Sequence, residues 1–184
     1  EEFFILSNRE NKKNFALYKA NIKNTSYDDW KLFIGHKKDE LIEDFLCFED
    51  FIILETRKKG LSQIVQIDKK NKKRKYIKFN DDSYTVNLIN NNEYKAKSFC
   101  FMFSSLRIPS SIFIQNLYTE KRRKIWNQKI NKYNENKYET KRIYITGRDG
   151  TKIPISLIFK KGINLKNAPL LQYGYGSYGL VIEP

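Results

Sequence analysis

The chain has 184 residues, 40% of them hydrophobic and 15% aromatic, which is enough Phe, Tyr and Ile to bury a core and excludes a disordered tail. No window approaches the ~18 uninterrupted apolar residues of a membrane-spanning helix, and no basic stretch followed by an apolar run marks a secretion signal after Glu1. The 35 Lys+Arg against 21 Asp+Glu give a net charge of +14, which admits a polyanion partner, but the lysines are scattered over the chain, so nucleic acid is not the expected ligand.

Taken in order, the chain reads as short runs rich in aromatic and β-branched residues, bounded by polar turns. Phe3-Phe4-Ile5-Leu6 opens it, Phe15-Ala16-Leu17-Tyr18 follows, then Trp30-Lys31-Leu32-Phe33-Ile34, then residues 41–48. A second set starts at Phe51-Ile52-Ile53-Leu54, continues through residues 61–67 and Tyr76-Ile77-Lys78-Phe79, and ends at Thr85-Val86-Asn87-Leu88-Ile89. A third starts at Phe99 and continues through Ile112-Phe113-Ile114 and Lys124-Ile125-Trp126. Residues 57–60 and 107–110 are read as turns between the first and second runs of their units.

Phe3, Phe51 and Phe99 stand 48 residues apart, and Trp30 and Trp126 share an offset within their units. Four strands per repeat, recurring in register, is the sequence form of β-propeller blades; a β-sandwich with strands at similar spacing is the alternative. One such sheet cannot hide both faces, and stacking blade on blade does so. About three blades do not close a ring of the usual four to eight, so the chain is expected to be the C-terminal part of a propeller over residues 1–135. The basic runs Lys72-Lys73-Arg74-Lys75 and Glu120-Lys121-Arg122-Arg123-Lys124 fall at matching offsets and are read as solvated hairpin rims. The acidic pairs Glu49-Asp50 and Asp81-Asp82 are likewise read as solvated turns, and His36, the one histidine, as structural or solvated. Cys47 and Cys100 are too few for a disulfide framework or a zinc site, and a reducing, cytoplasmic compartment is the expectation.

From residue 129 the pattern changes. Residues 129–139 are polar and read as a linker. Lys141-Arg142-Ile143-Tyr144-Ile145-Thr146 and residues 152–159 flank Arg148-Asp149-Gly150, and Asp-Gly between such runs predicts a hairpin. Residues 168–173 read as a further strand leading into Gly174-Tyr175-Gly176-Ser177-Tyr178-Gly179. That stretch fits the dinucleotide fingerprint, but no helix and distant acidic residue follow it. It fits the kinase phosphate loop without the other kinase motifs, and Tyr175 stands where the nucleophile elbow needs its first glycine.

Residues 142–184 resemble the start of the peptidase domain of the prolyl oligopeptidase family. The likeness rests on Arg148-Asp149-Gly150 through Ile158 and on Pro169-Leu170-Leu171-Gln172-Tyr173-Gly174-Tyr175-Gly176-Ser177-Tyr178-Gly179; its Ser-Tyr is similar to the oligopeptidase B branch. Upstream, Phe3 to Asn8, Glu55-Thr56-Arg57 with Gly60 to Ile64, and Tyr84-Thr85-Val86 resemble that branch's propeller. The resemblance implies a mainly β chain holding the last propeller blades, then the first strands of an α/β-hydrolase domain over residues 136–184. It implies a serine endopeptidase that hydrolyses short basic peptides after Lys or Arg, with no metal or cofactor. Tyr175 maps to the oxyanion-hole phenol, Tyr178 to the aromatic wall of the specificity pocket, and Glu183 to an aspartate that helps bind a basic residue, with Glu here in place of Asp. The Ser-Asp-His triad has no counterpart among these residues, so the chain alone is expected to be inactive and to need the remainder of the propeller and of the hydrolase domain as partners. An incomplete ring and sheet expose pairing edges, so aggregation of the isolated chain is expected. The rival reading is a non-catalytic propeller module that binds polyanions or proteins.

Overall fold

The computed structural model describes residues 2–184. Its regular structure is antiparallel β, with single 3-10 turns at Tyr27–Asp29 and Glu135–Lys137 and no α-helix among the described residues. The first sheet is a meander of β1 (Glu2–Ser7), β2 (Ala16–Asn21) and β3 (Lys31–Ile34). The second is β4 (Glu40–Cys47), β5 (Phe51–Lys58), β6 (Leu61–Asp68) and β7 (Arg74–Tyr76). The third is β8 (Tyr84–Leu88), β9 (Ser98–Ser105), β10 (Ser111–Asn116) and β11 (Arg122–Asn127). A hairpin of β12 (Tyr138–Thr146) and β13 (Lys152–Lys160) ends the strands. Each sheet uses consecutive strands in sequence order, with none exchanged between sheets, as in propeller blades rather than in a Greek-key sandwich.

The 48-residue period holds, but its phase differs from the sequence reading. Residues 41–48 do not close the first unit; 41–47 lie in β4, which pairs with β5 and opens the second sheet. Tyr84–Leu88 likewise opens the third, paired to β9. The chain between β3 and β4 crosses to the next blade, while Phe48-Glu49-Asp50 is a hairpin link inside one.

The middle blade is covered on both faces, which explains why its strands read as apolar runs. In β5, Ile52, Ile53 and Leu54 are all fully buried. Ile52 and Leu54 join Leu17, Phe33 and Ile34 of the first sheet. Ile53 joins Val86, Phe99, Phe101 and Phe103 of the third. In β9 the pattern alternates: the three Phe side chains are buried and Met102 is exposed, because only one face is covered. Polar ties cross the blade boundaries: Ser62 Oγ accepts from the Val86 amide at 2.9 Å, and Glu55 Oε2 from the Leu88 amide at 2.7 Å.

Neither the basic runs nor the acidic pairs are wholly solvated. Arg74 and Arg122, one repeat apart, are strand residues and not free rim charges. Arg74 Nη2 lies 3.0 Å from Glu40 Oε2, whose side chain is 1% exposed. Arg122 lies over Phe79, 4.9 Å from the ring centre, and donates from Nε to Gln115 Oε1 at 3.1 Å. A guanidinium can bury its planar face on aromatics while spending its edge in hydrogen bonds, which a lysine cannot. Asp81 is also not solvated: its side chain is 1% exposed and meets Arg107 Nε at 3.0 Å.

Candidate active site

The β12–β13 hairpin is held against the blades at three places. Arg142 Nη2 donates to the Lys59 carbonyl at 3.0 Å and Nη1 to Ser156 Oγ at 3.1 Å. Ser83 Oγ donates to Ser156 Oγ at 2.6 Å. Asp81 accepts from Ser105 Oγ at 3.0 Å and from Thr140 Oγ1 on β12, beside its pair with Arg107. The turn between β5 and β6 is Lys59-Gly60, both with positive φ, the conformation a two-residue hairpin requires. Gly60 has a second reason to lack a side chain: a Cβ there would lie 3.0 Å from Pro154 Cγ and 3.2 Å from Arg142 Nη2. Arg57, expected in that turn, is inside β5.

Beyond β13 the chain forms no strand, so residues 168–173 correct the expectation. A strand needs a ladder partner, and this stretch has none here; Leu170 and Leu171 are 77% and 93% exposed. The glycine-tyrosine segment turns at Ser177, where the Leu180 amide donates to the Ser177 carbonyl at 3.1 Å. Its left-handed residues are Tyr178 (φ 57°) and Gly179 (φ 69°). Gly174 and Gly176 are not in that region, and a Cβ on either would meet nothing within 4 Å, so neither is required by local geometry.

Tyr175 is half exposed, Tyr178 almost wholly so, and neither phenol is hydrogen-bonded among the described residues. Glu183 is the candidate residue that the fold ties to the propeller. Its carboxylate pairs with Arg57 Nη2 through Oε1, and Thr85 Oγ1 lies 3.5 Å from Oε2. Thr85 Oγ1 also donates to the Pro184 carbonyl at 3.1 Å. Arg57 Nε donates to Glu43 Oε1 at 2.8 Å, so one guanidinium bridges two carboxylates. Burial alone would lower the Arg57 pKa, but the hydrogen bonds it donates to Glu183 and Glu43 outweigh it and push it up. Sequence reasoning missed Arg57, Asp81, Arg107 and Arg142. Their partners lie far along the chain, and the spacing of charges carries no trace of them.

Sheets of three, four and four strands, each a meander in sequence order, define a chain of propeller blades, followed by a docked two-stranded hairpin. The model of the prolyl oligopeptidase N-terminal β-propeller domain matches residues 1–128, and the chain belongs to the prolyl oligopeptidase family. It is similar to "Dipeptidyl aminopeptidase BI" of Pseudoxanthomonas mexicana, 31% identical over 186 residues, covering 100% of this chain and 26% of that protein. It is similar to "Protease 2" of Moraxella lacunata, 25% identical, with 100% and 26% covered. Among solved structures, oligopeptidase B from Leishmania major superposes with a TM-score of 0.87 at 25% identity, covering 100% of this chain and 27% of that one. Oligopeptidase B from Trypanosoma brucei, in a closed form with covalently bound antipain, gives 0.85 at 25%, with the same coverage. The chain thus spans about a quarter of the length of the curated relatives it matches.

Proposed function

We propose that this chain is the last blades of a propeller and the first strands of an α/β-hydrolase domain in an oligopeptidase B-like serine peptidase that cleaves short peptides after Lys or Arg. The observation that carries the reading is Glu183, an acidic residue just past the glycine-tyrosine segment, held by Arg57 of the middle blade. The fold similarity to two oligopeptidase B structures, one with an inhibitor covalently attached, supports it.

In this reading, a serine outside the chain attacks the scissile carbonyl, and a His and an Asp, also outside it, move the proton and hold the His tautomer. Tyr175 contributes the phenolic proton. A neutral phenol donates a hydrogen bond, and it favours the tetrahedral oxyanion over the less charged ground-state carbonyl. Tyr178 walls the pocket for the residue before the cleaved bond. Glu183 supplies a fixed anion for a substrate cation, which a desolvated guanidinium or ammonium requires. The propeller selects by access and admits short, unfolded peptides. Cytoplasmic residence belongs to the same proposal.

The test is hydrolysis of aminomethylcoumarin peptides by the full-length protein. A blocked dibasic peptide is cleaved and its neutral counterpart is not; no cleavage of the blocked dibasic peptide overturns the reading. The 31% identity to a dipeptidyl aminopeptidase favours a second reading, release of dipeptides from a free amino end. Cleavage of only the unblocked peptide selects it.

A further inference from the structure

We propose that Arg57 is a positioning residue for Glu183 and, through it, sets the preference for a cationic substrate side chain. This rests on the reading of Glu183 as a substrate carboxylate. Arg57 projects from the middle blade, with its side chain 15% exposed, and meets Glu43 through Nε and Glu183 through Nη2. Arg57 Nη1 and Glu43 Oε2 are buried with no hydrogen-bond partner among the described residues, so this cluster is not saturated by its own members.

The two oxygens of Glu183 are unequal. Oε1 is anchored by Arg57, while Oε2 has only the Thr85 hydroxyl at 3.5 Å, beyond a good hydrogen bond. A carboxylate accepts several hydrogen bonds, so Oε2 keeps capacity for an incoming ammonium or guanidinium. One cation between two anions leaves the cluster with a net charge of about −1, so it still attracts a substrate cation. Without Arg57, Glu43 and Glu183 are like charges with nothing between them, and Glu183 loses the contact that fixes its rotamer. Lysine is a poor replacement, because a point-like ammonium does not reproduce the planar fork that serves both carboxylates.

The experiment compares peptides that are cationic or neutral at the position Glu183 reads, using full-length wild type, Glu183→Gln, Arg57→Met, Arg57→Lys and the double variant Arg57→Met/Glu43→Gln. The double variant removes the buried anion that a lone Arg57→Met leaves unpaired, so it keeps the test valid should the single variant not fold. The expected result for Arg57→Met and the double variant is a KM for the cationic peptide raised about 10- to 100-fold, kcat little changed and the neutral peptide unaffected. Arg57→Lys recovers part of the loss. If Glu183→Gln loses the preference but the double variant keeps it, Arg57 has no such role and the reading of Glu183 stands. If wild type shows no preference, or Glu183→Gln keeps it, the reading of Glu183 fails and this proposal with it.

Discussion

Gln66 and Leu117 lie 51 residues apart and meet across a blade boundary, where the Gln66 amide donates to the Leu117 carbonyl at 2.7 Å. Gln66 is buried on β6 and Leu117 is buried just past β10, so neither group has water as an alternative partner. Gln66→Leu therefore leaves a buried carbonyl unsatisfied and is expected to cost about 1–3 kcal/mol. A shift in the midpoint of chemical denaturation measures it, and an unchanged midpoint would show that this contact does not hold the blades together.

Asp81 ties the third blade to the hairpin through Arg107 and Thr140. Asp81→Asn keeps the shape and removes the charge. The expected cost is about 2–4 kcal/mol, below that of a fully buried pair because Arg107 is 22% exposed. The connection at residues 128–137 should also be cut faster in limited proteolysis. Equal cleavage rates in variant and wild type would count against the docking role.

Gly60→Ala combines two penalties, a left-handed φ of 70° and a Cβ 3.0 Å from Pro154 Cγ. The backbone part alone is about 1–2 kcal/mol. A Pro154→Ala background should relieve the steric part and leave the backbone part. A double-mutant cycle with no coupling between the two sites would refute the close approach of turn and hairpin.

Two glutamates, Glu40 buried and Glu55 half-buried, should pull acid stability in opposite directions. Burial pushes Glu40 up, but Tyr76, Lys37 and Arg74 together hold its carboxyl below the usual range. The unfolded chain then binds the proton more readily, so Glu40 stabilises above the ordinary glutamate pKa, and that contribution is lost as pH falls through its lowered folded value. Glu55 is the reverse. Its pKa is pushed up by burial, despite the Leu88 amide and Asn87. The folded state then holds the proton more readily, so its contribution is present below the ordinary value and lost as pH rises through the raised one. In denaturation series from neutral to acid pH, Glu40→Gln should flatten the loss of stability and Glu55→Gln should steepen it. Shifts of the same sign in both would contradict this pairing.

The repeat was legible because the sheets repeat apolar runs at the same strand positions, and Phe3, Phe51 and Phe99 mark the period even though Phe3 is exposed, Phe51 half-buried and Phe99 fully buried. Its phase was not: a period is unchanged by sliding the unit one strand, and only pairing shows that Glu40–Cys47 belongs with Phe51–Lys58. The hairpin at Asp149-Gly150 was legible because turn chemistry is local. The strand expected at residues 168–173 was not formed because a strand is a relation to a partner and not a property of an apolar run. Arg57 with Glu183, and Asp81 with Arg107, depend on side chains that meet only after folding, so the sequence offered Glu183 through family likeness but not the guanidinium that holds it.

In the proposed function the Tyr175 phenol donates to an oxyanion during peptide cleavage, and the decisive measurement is turnover by Tyr175→Phe in the full-length protein. The variant removes one oxygen from a half-exposed side chain that makes no hydrogen bond among the described residues, so stability should not change. The expected kcat on a blocked dibasic peptide is about 100- to 1,000-fold lower, with KM nearly unchanged. A variant that turns over as fast as wild type would contradict it.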